Sequence, residues 1–280
     1  MLSGRPKVLV LRTAGTNCDA ETAHACSAAG GDVEILHVNR FIRGERKLDD
    51  FHFLVIPGGF SYGDDVSAGR ILANEIRFKL GGQLASFVGG GKPVLGICNG
   101  FQVLVKTGLL PGAFRTSAAK RRQTHGSPRP SQQATLFNND SGRFECRWVY
   151  LRRAENTRCI FTNGLPEMIQ LPVAHGEGKV MFDSEETKNQ VIENGQAVFR
   201  YTDEKGRAAA GYPCNPNGSD DDIAGMCDPT GLIFGLMPHP ERHVFTYQHP
   251  RWTRGEAGGG IHGDGFPVFR SAIVYAKRNL

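Results

Sequence analysis

The sequence predicts an α/β fold in which a mostly parallel sheet is flanked by helices, with an added antiparallel, loop-rich portion. One observation is the order of elements: short apolar runs at residues 7–11, 33–38 and 53–56 enclose a helical segment at 17–29 in a β-α-β pattern. A second is that these runs are continuously apolar rather than alternating, which is typical of strands buried on both faces. A further short apolar run at residues 92–95 extends the same pattern.

The first half of the chain contains three predicted helices. The helix at 17–29 has Thr16 or Asn17 as its candidate N-cap and ends at a glycine pair. A long helix is predicted at 67–88, where apolar residues recur at helical spacing. A third begins at Phe101, directly after the 92–95 strand, and is closed by Gly108.

Beyond residue 112 the pattern indicates antiparallel strands and loops attached to the parallel sheet. Residues 144–151 alternate as a half-exposed strand should, with Phe144, Cys146, Trp148 and Tyr150 on one face. The remaining elements are strands at 168–174, 197–201 and 232–237, a turn-rich loop at 213–222 and an amphipathic helix at 267–278.

By length alone, one enlarged domain is as likely as two. Because the middle part reads as attached to the parallel sheet, we predict a single domain over residues 1–280 with a surface insertion at 113–134. The formal net charge of +5 is modest. The insertion contains Lys120, Arg121 and Arg122, and we interpret it as a solvated loop rather than as a patch that binds nucleic acid. Seven cysteines without C-x-x-C spacing suggest neither a disulfide framework nor a zinc site. No signal peptide or membrane-spanning run is evident, so a cytoplasmic location is expected. Dinucleotide and P-loop fingerprints are missing from the sequence.

The sequence around Cys98 indicates a nucleophile. Residues 96–102 read Gly-Ile-Cys-Asn-Gly-Phe-Gln and lie at a strand-to-helix junction, the cysteine version of the nucleophile elbow. Side chains at Gly96 and Gly100 would crowd the tight turn, and unpaired N–H groups at the helix N-terminus favour the reactive thiolate. Read alone, the motif is more often a buried structural cysteine.

A glycine-rich turn follows the 53–56 strand. Residues 57–65 read Pro-Gly-Gly-Phe-Ser-Tyr-Gly-Asp-Asp and lie where ligands bind in open α/β sheets. A plain connecting turn explains this segment equally well on its own. Beside a nucleophile elbow, however, one of its bare backbone N–H groups could form half of an oxyanion hole.

A histidine and a glutamate follow the 232–237 strand. In Pro238-His239-Pro240-Glu241 the prolines exclude a helix and hold His239 extended, so His239 and Glu241 face the same side. A carboxylate beside an imidazole fixes its tautomer and steadies the imidazolium, as a base that serves a nucleophile needs. Alone, these residues would be a surface His/Glu pair. Together with the elbow and the glycine turn they predict an acyl-transfer site.

Two of these motifs resemble a known family. Residues 96–102 and 238–241 together look like those of the class I (triad) glutamine amidotransferases. Within that family, residues 16–19, 57–64 and 172–178 are similar to one branch, the glutaminase subunits of phosphoribosylformylglycinamidine synthase in purine biosynthesis. The resemblance covers nearly the whole chain and implies a flavodoxin-like α/β fold.

The resemblance implies a role for each matching residue. Cys98 would attack the side-chain amide of glutamine, and His239, oriented by Glu241, would protonate the departing ammonia and then activate water. The backbone N–H groups of Gly59 and Asn99 would hold the oxyanion. The implied substrate-binding residues are Gly58, Gln102, Ala174, Gly176 and Glu177, while His175 and Cys18 are expected to have structural roles.

The family also implies partners. Ammonia released from glutamine would pass to a large synthetase subunit on a separate polypeptide, with a small accessory subunit, and that synthetase would use ATP and Mg²⁺ to convert formylglycinamide ribonucleotide to its amidine. This chain is expected to carry no cofactor or metal, and to bind neither nucleic acid nor membranes. Two other hypotheses stay open: a cysteine hydrolase of the DJ-1/PfpI type, and a non-catalytic regulatory subunit.

Overall fold

The computed structural model describes residues 2–112, 132–255 and 260–280. The strands of this part of the chain are β1 (Lys7–Arg12), β2 (Asp32–His37), β3 (Phe53–Ile56), β4 (Val94–Ile97), β5 (Ala134–Asn138), β6 (Glu145–Arg153), β7 (Met168–His175), β8 (Glu177–Phe182), β9 (Ala197–Thr202), β10 (Ile223–Cys227) and β11 (Ile233–Leu236). Its α-helices are α1 (Asp19–Ala28), α2 (Val38–Ile42), α3 (Arg70–Lys79), α4 (Gly81–Gly89), α5 (Asn99–Lys106), α6 (Glu185–Glu193) and α7 (Phe266–Asn279).

One nine-stranded sheet runs through the molecule in the order β2-β1-β3-β4-β11-β10-β9-β6-β7. Its first five strands pair in parallel, and from β11 onward every pair is antiparallel. A separate two-stranded sheet joins β5 and β8. The predicted α/β fold is confirmed, including an antiparallel portion that continues the parallel sheet. In the described residues no helix is long and apolar enough to cross a membrane.

The prediction of one continuous helix at 67–88 is wrong, because the structure has two helices there. Two helices, α3 and α4, meet at Leu80, whose φ of −118° departs from helical geometry. Gly81 and Gly82 follow directly, and their low helix propensity lets the chain bend there. The cap predicted for α1 is also wrong, because Cys18 occupies the N-cap without a side-chain hydrogen bond.

Strand β6 buries the face opposite to the one its aromatic residues suggested. Glu145, Val149 and Leu151 are buried, whereas Phe144 and Cys146 are exposed. The even-numbered face bears Trp148, which packs edge-on against the rings of His243 and His249 at 5.0 and 4.7 Å between centroids. A later segment of the chain, containing His243 and His249, therefore packs on this face. The alternation of residues within β6 could not predict that contact.

Five elements were not expected from the sequence: α2, β5, β8, β10 and α6. The predicted insertion at 113–134 lies largely outside the described residues, but Ala134 is already the buried first residue of β5. Single-domain organisation stays a prediction.

The central parallel strands bring the predicted site residues to one edge of the sheet. In the pairing of β4 with β11, Ile97 lies opposite Leu236, so the residues that follow both strands emerge side by side. On the other side of β4, Ile56 of β3 pairs with Gly96. The elbow, the glycine turn and the 238–243 segment therefore share one end of the sheet.

The two elbow glycines are required by close contacts, as predicted. A Cβ at Gly96 would lie 2.6 Å from the Gly100 carbonyl oxygen, and a Cβ at Gly100 would lie 1.9 Å from the carbonyl oxygen of Ile56. The second contact shows that Gly100 is constrained by the neighbouring strand β3 and not by the turn alone.

We expect Gly100→Ala to lower the free energy of unfolding by at least about 2 kcal/mol, because backbone atoms of β3 and α5 must separate. Gly82→Ala is the matched control: it also lies in a helix, with nothing within 4 Å of the added methyl. The control should leave stability unchanged or raise it by up to about 1 kcal/mol. Urea unfolding of both variants checks this, and equal effects would contradict it.

Candidate active site

Cys98 occupies the strained turn between β4 and α5. Its φ and ψ are 50° and −104°, a left-handed conformation that a non-glycine residue adopts only when its surroundings impose it. Its backbone N–H donates to the Leu236 carbonyl at 2.8 Å, which ties the turn to β11. Its Sγ lies 3.6 Å from the Ala174 carbonyl oxygen, to which the thiol donates. The sulfur thus sits between the parallel and the antiparallel halves of the sheet.

His239 and Glu241 form a buried hydrogen-bonded pair. Nδ1 of His239 lies 2.6 Å from Oε1 of Glu241, and both residues are 2% exposed. The sequence predicts an extended chain without helix at 238–241, and this is wrong in one detail. Pro240–Arg242 forms one 3₁₀ turn, with the proline at its first position. That turn, rather than extended chain, brings the carboxylate to the ring. Because Glu241 accepts at Nδ1, Nε2 is the ring atom available for proton transfer.

The pKa of His239 is raised well above its usual value. Burial lowers it, but the Glu241 carboxylate and the nearby thiols of Cys98 and Cys18 raise it by more. Nε2 makes no hydrogen bond of good geometry within the described residues. The imidazole is therefore held in a form that accepts a proton readily while lying next to two sulfur atoms.

Cys18 lies beside His239, which the sequence did not predict. The site of a Cβ on Gly58 would be 2.8 Å from Cε1 of His239 and 3.2 Å from Sγ of Cys18, so both pack on the bare Gly58 backbone. Arg242 donates to Cys18 Sγ at 3.2 Å through Nη2. Burial raises the pKa of the Cys18 thiol. The only sequence signal was its place in the 16–19 motif.

The two N–H groups predicted to hold an oxyanion lie next to the nucleophile. Asn99 begins α5 directly after Cys98, and Gly59 lines the same cavity as the Cys98 thiol. Within the described residues neither N–H donates to another group. The Asn99 side chain also ties the elbow to the glycine turn, because its Oδ1 accepts from Ser61 N at 3.4 Å.

A cavity of about 390 Å³ opens above Cys98. Six predicted site residues line it, namely Gly59, Cys98, Gln102, Ala174, Gly176 and Glu177. Gly58, Asn99, His239 and Glu241 lie outside the lining. His239 and Glu241 are thus buried in the protein interior, whereas the Cys98 sulfur faces the cavity.

Gln102 and Glu177 join α5 to the start of β8. Nε2 of Gln102 donates to the Glu177 carbonyl at 2.5 Å, and Oε1 of Gln102 accepts from Asn99 Nδ2 at 3.0 Å. The Glu177 carboxylate accepts from Ala68 N at 3.2 Å. Both side chains therefore hold the cavity wall together through contacts within the protein.

His175 makes contacts that fit a role in shaping its loop. Its Nδ1 donates to Asn139 Oδ1 at 3.0 Å, an atom that also accepts from Gly178 N at 3.1 Å. A Cβ at Gly178 would be 2.5 Å from the His175 ring. Burial lowers the pKa of His175 to about 3, so the ring stays neutral at ordinary pH.

Several cavity residues were not singled out from the sequence. They are Phe60, Asp64 and Ala68 on one side and Asn138, Gly142, Arg143 and Phe144 on the other. The exposed rings of Phe60 and Phe144 stack at 6.3 Å across the mouth. Phe60 and Asp64 could have been found as members of the 57–65 turn, whereas Arg143 and Phe144 precede a strand and carry no local signal for a site.

Asp64 lines the cavity, and the pKa of its carboxyl group is above the usual value. Burial raises its pKa to about 6, an effect that hydrogen bonds from Gly69 N and Asn99 Nδ2 offset only in part. Lys106, whose own pKa burial lowers, is held nearby by Ser67 Oγ at 2.7 Å and by the Ala68 carbonyl.

Comparison with known proteins identifies the family to which this arrangement belongs. The model of the CobB/CobQ-like glutamine amidotransferase domain matches residues 5–276. Phosphoribosylformylglycinamidine synthase subunit PurQ of Dehalococcoides mccartyi is 46% identical over 272 residues, covering 97% of this chain and 98% of that protein. The subunit of the same name from Archaeoglobus fulgidus is 44% identical over 282 residues, covering 97% of each. A chain in the structure of PurLQS from Thermotoga maritima has a TM-score of 0.70 and 32% identity, covering 97% of this chain and 99% of that one.

We expect Asp64→Asn to stabilise the protein by about 1 kcal/mol at pH 8, an estimate that allows for solvent screening of this half-buried group. The pKa of Asp64 in the folded protein lies above its usual value of 3.8, so ionisation opposes folding. The destabilisation is full above pH 6 and is lost as the pH falls from about 6 to below 4. Thermal unfolding of both proteins across this range checks it, and a pH-independent difference would contradict it.

Proposed function

Because the chain belongs to the family of CobB/CobQ-like glutamine amidotransferase domains, we propose that it is the glutaminase subunit of phosphoribosylformylglycinamidine synthase. It hydrolyses glutamine to glutamate and ammonia and supplies the ammonia to a synthetase subunit, which forms formylglycinamidine ribonucleotide in purine biosynthesis. The observation that carries this proposal is identity above 40% with such subunits over nearly the full length of both chains.

Cys98 acts as the nucleophile. Its sulfur lines the cavity and attacks the side-chain amide carbonyl of glutamine, forming a C–S bond as the carbonyl becomes an oxyanion. The N–H groups of Gly59 and Asn99 are unpaired in the described structure and stabilise that oxyanion, at roughly 3 kcal/mol per donor in comparable sites. Loss of ammonia leaves a γ-glutamyl thioester.

His239 moves the protons. Its Nε2 takes the proton of the Cys98 thiol as the sulfur attacks, gives it to the departing ammonia and later takes one from the water that hydrolyses the thioester. Glu241, at 2.6 Å from Nδ1, holds the ring in the required tautomer and steadies the imidazolium between the two steps. Complete burial of the pair strengthens this interaction, since the local dielectric is low.

The cavity receives the glutamine substrate. Backbone groups of Ala174, Gly176 and Glu177, with Gly58 and Gln102 behind or beside them, position its α-amino and α-carboxylate ends. The synthetase subunit, with a small accessory subunit, consumes the ammonia and uses ATP and Mg²⁺. The chain itself acts in the cytoplasm.

A cysteine hydrolase of the DJ-1/PfpI type accounts for an elbow but not for the buried His239–Glu241 pair supplied by the strand next to the elbow strand. A non-catalytic subunit would have no use for that pair. A glutamine-analogue affinity label that fails to modify Cys98 would favour the non-catalytic hypothesis.

The direct test is Cys98→Ala in the reconstituted synthase. We expect glutamine-dependent synthesis to fall by at least about 10³-fold because the nucleophile is gone, while synthesis from free ammonia is retained. Product formation is measured with each nitrogen source. Cys146→Ala, which removes an exposed thiol from β6, is the matched control and should leave both rates unchanged. Loss of both rates in Cys98→Ala would contradict the proposed role.

A second test concerns the partner. We expect weak glutamine hydrolysis by this chain alone and a clear increase when the synthetase subunit is added. Glutamate release is measured across a titration of the partner. A full rate without the partner, unchanged on its addition, would show that the two activities are not coupled.

A further inference from the structure

The cluster formed by Cys18, His239 and Glu241 has the donor set of a metal site. Cys18 Sγ, a ring nitrogen of His239 and a carboxylate oxygen of Glu241 all lie within 4.8 Å of one another. A thiolate, an imidazole and a carboxylate are the three ligand types of zinc sites, and around tetrahedral zinc such atoms lie about 3.5 Å apart. One ion would therefore require the 2.6 Å hydrogen bond between His239 Nδ1 and Glu241 Oε1 to open by about 1 Å, with the Cys18 sulfur about 3.5 Å from both atoms.

One buried ligand atom of this cluster has no partner. Oε2 of Glu241 makes no hydrogen bond within the described residues, although the Glu241 side chain is 0% exposed. An unpartnered carboxylate oxygen is costly in the interior, and a cation relieves that cost. Cys18 is itself 1% exposed, so the third donor is also shielded from water.

The proline-containing turn and the Gly58 backbone hold these donors in place. His239 N donates to the Pro172 carbonyl at 2.8 Å, and Cys18 N donates to the Gly58 carbonyl at 3.4 Å. The Cys18 thiol is oriented by Asn17, to whose Oδ1 it donates at 3.2 Å, and by the Arg242 guanidinium. These contacts supply the outer shell that orients metal ligands.

We propose that this cluster binds one Zn²⁺ ion, or another divalent ion that prefers sulfur and nitrogen ligands, and that binding reversibly inhibits the glutaminase. The Cys18 thiol releases its proton to solvent as the S–Zn bond forms, and the proton that His239 Nδ1 donates to Glu241 is likewise released as the N–Zn bond forms, so no oxidant is needed. Once the imidazole and the Glu241 carboxylate ligate the ion, His239 can no longer exchange protons with ammonia and water. Inhibition leaves Cys98 unmodified.

The donor set also predicts selectivity. Mg²⁺ requires oxygen ligands in octahedral geometry, which a site with sulfur and nitrogen does not provide. Mg²⁺ at the millimolar concentrations used in synthetase assays should therefore leave the site free. The inhibition rests on the function proposed above, whereas metal binding does not.

Co²⁺ is the probe for binding. Titration of the full-length, reduced protein should give one equivalent of tetrahedral Co²⁺ with a sulfur-to-cobalt charge-transfer band, displaced by Zn²⁺ and not by Mg²⁺. Cys98→Ala should retain the band, because Cys98 is not a ligand. Cys18→Ser should lose it, with a Zn²⁺ affinity at least ~100-fold weaker.

Cys159→Ser is the matched control. Cys159 is as buried as Cys18 and its thiol contacts that of Cys227, so this variant removes a buried sulfur outside the cluster. We expect this variant to bind Co²⁺ as the wild type does. Should Cys18→Ser fail to fold by circular dichroism, Glu241→Gln takes its place, with an expected loss of Zn²⁺ affinity of at least ~10-fold.

Inhibition is measured as glutamate release by the synthase complex, relative to each variant's own metal-free rate. Zn²⁺ should inhibit the wild type and Cys159→Ser at the concentration that displaces Co²⁺, EDTA should reverse it, and Cys18→Ser should need at least ~100-fold more. No sulfur band in the wild type, a band kept in Cys18→Ser, or a band lost in Cys98→Ala would overturn the site. Stoichiometric binding without inhibition would overturn its effect on catalysis. A lack of glutaminase activity would refute the proposed function while leaving the Co²⁺ result readable.

Discussion

The parallel pairing of β4 with β11 is the constraint on which the rest of the site depends. It places Ile97 opposite Leu236, so that the residues following each strand, although far apart in sequence, emerge at one edge. Cys98 N is bonded to the Leu236 carbonyl itself, which links the elbow directly to the strand that delivers His239. A one-residue slip in this register would separate the sulfur from the imidazole, and no local feature of either segment could restore the contact.

Burying the His239–Glu241 pair next to this junction costs desolvation free energy. The surrounding structure holds the two side chains in one arrangement. Glu241 and His239 are held at 2.6 Å by one 3₁₀ turn, and the ring edge rests on Gly58, where a Cβ would be 2.8 Å from Cε1. The absence of a side chain at position 58 thus has a packing reason as well as a place in a glycine turn. It also gives Cys18 access to the same ring.

The sequence was sufficient for the parallel half and for the motifs at its strand ends, because continuous apolar runs and glycine turns are local signals. The sequence did not predict which face of β6 is buried, because that depends on segments far away in the chain. Val149 and Leu151 face the core, and Cys146 on the other face is exposed. Helix α6 was missed although Ser184 caps it, since its polar surface gives little periodicity. The proximity of Cys18 to His239 joins residues over two hundred positions apart, and only tertiary packing determines it.

The hydrogen bond from Gln102 to the Glu177 carbonyl has a consequence for the whole molecule. Glu177 begins β8, which pairs with β5 outside the main sheet, and Gln102 belongs to the helix that follows the nucleophile. This hydrogen bond therefore links the two-stranded β5–β8 sheet to the helix that begins directly after the nucleophile. A protein that docked on β8 and displaced Glu177 would act through this bond on the helix that follows Cys98.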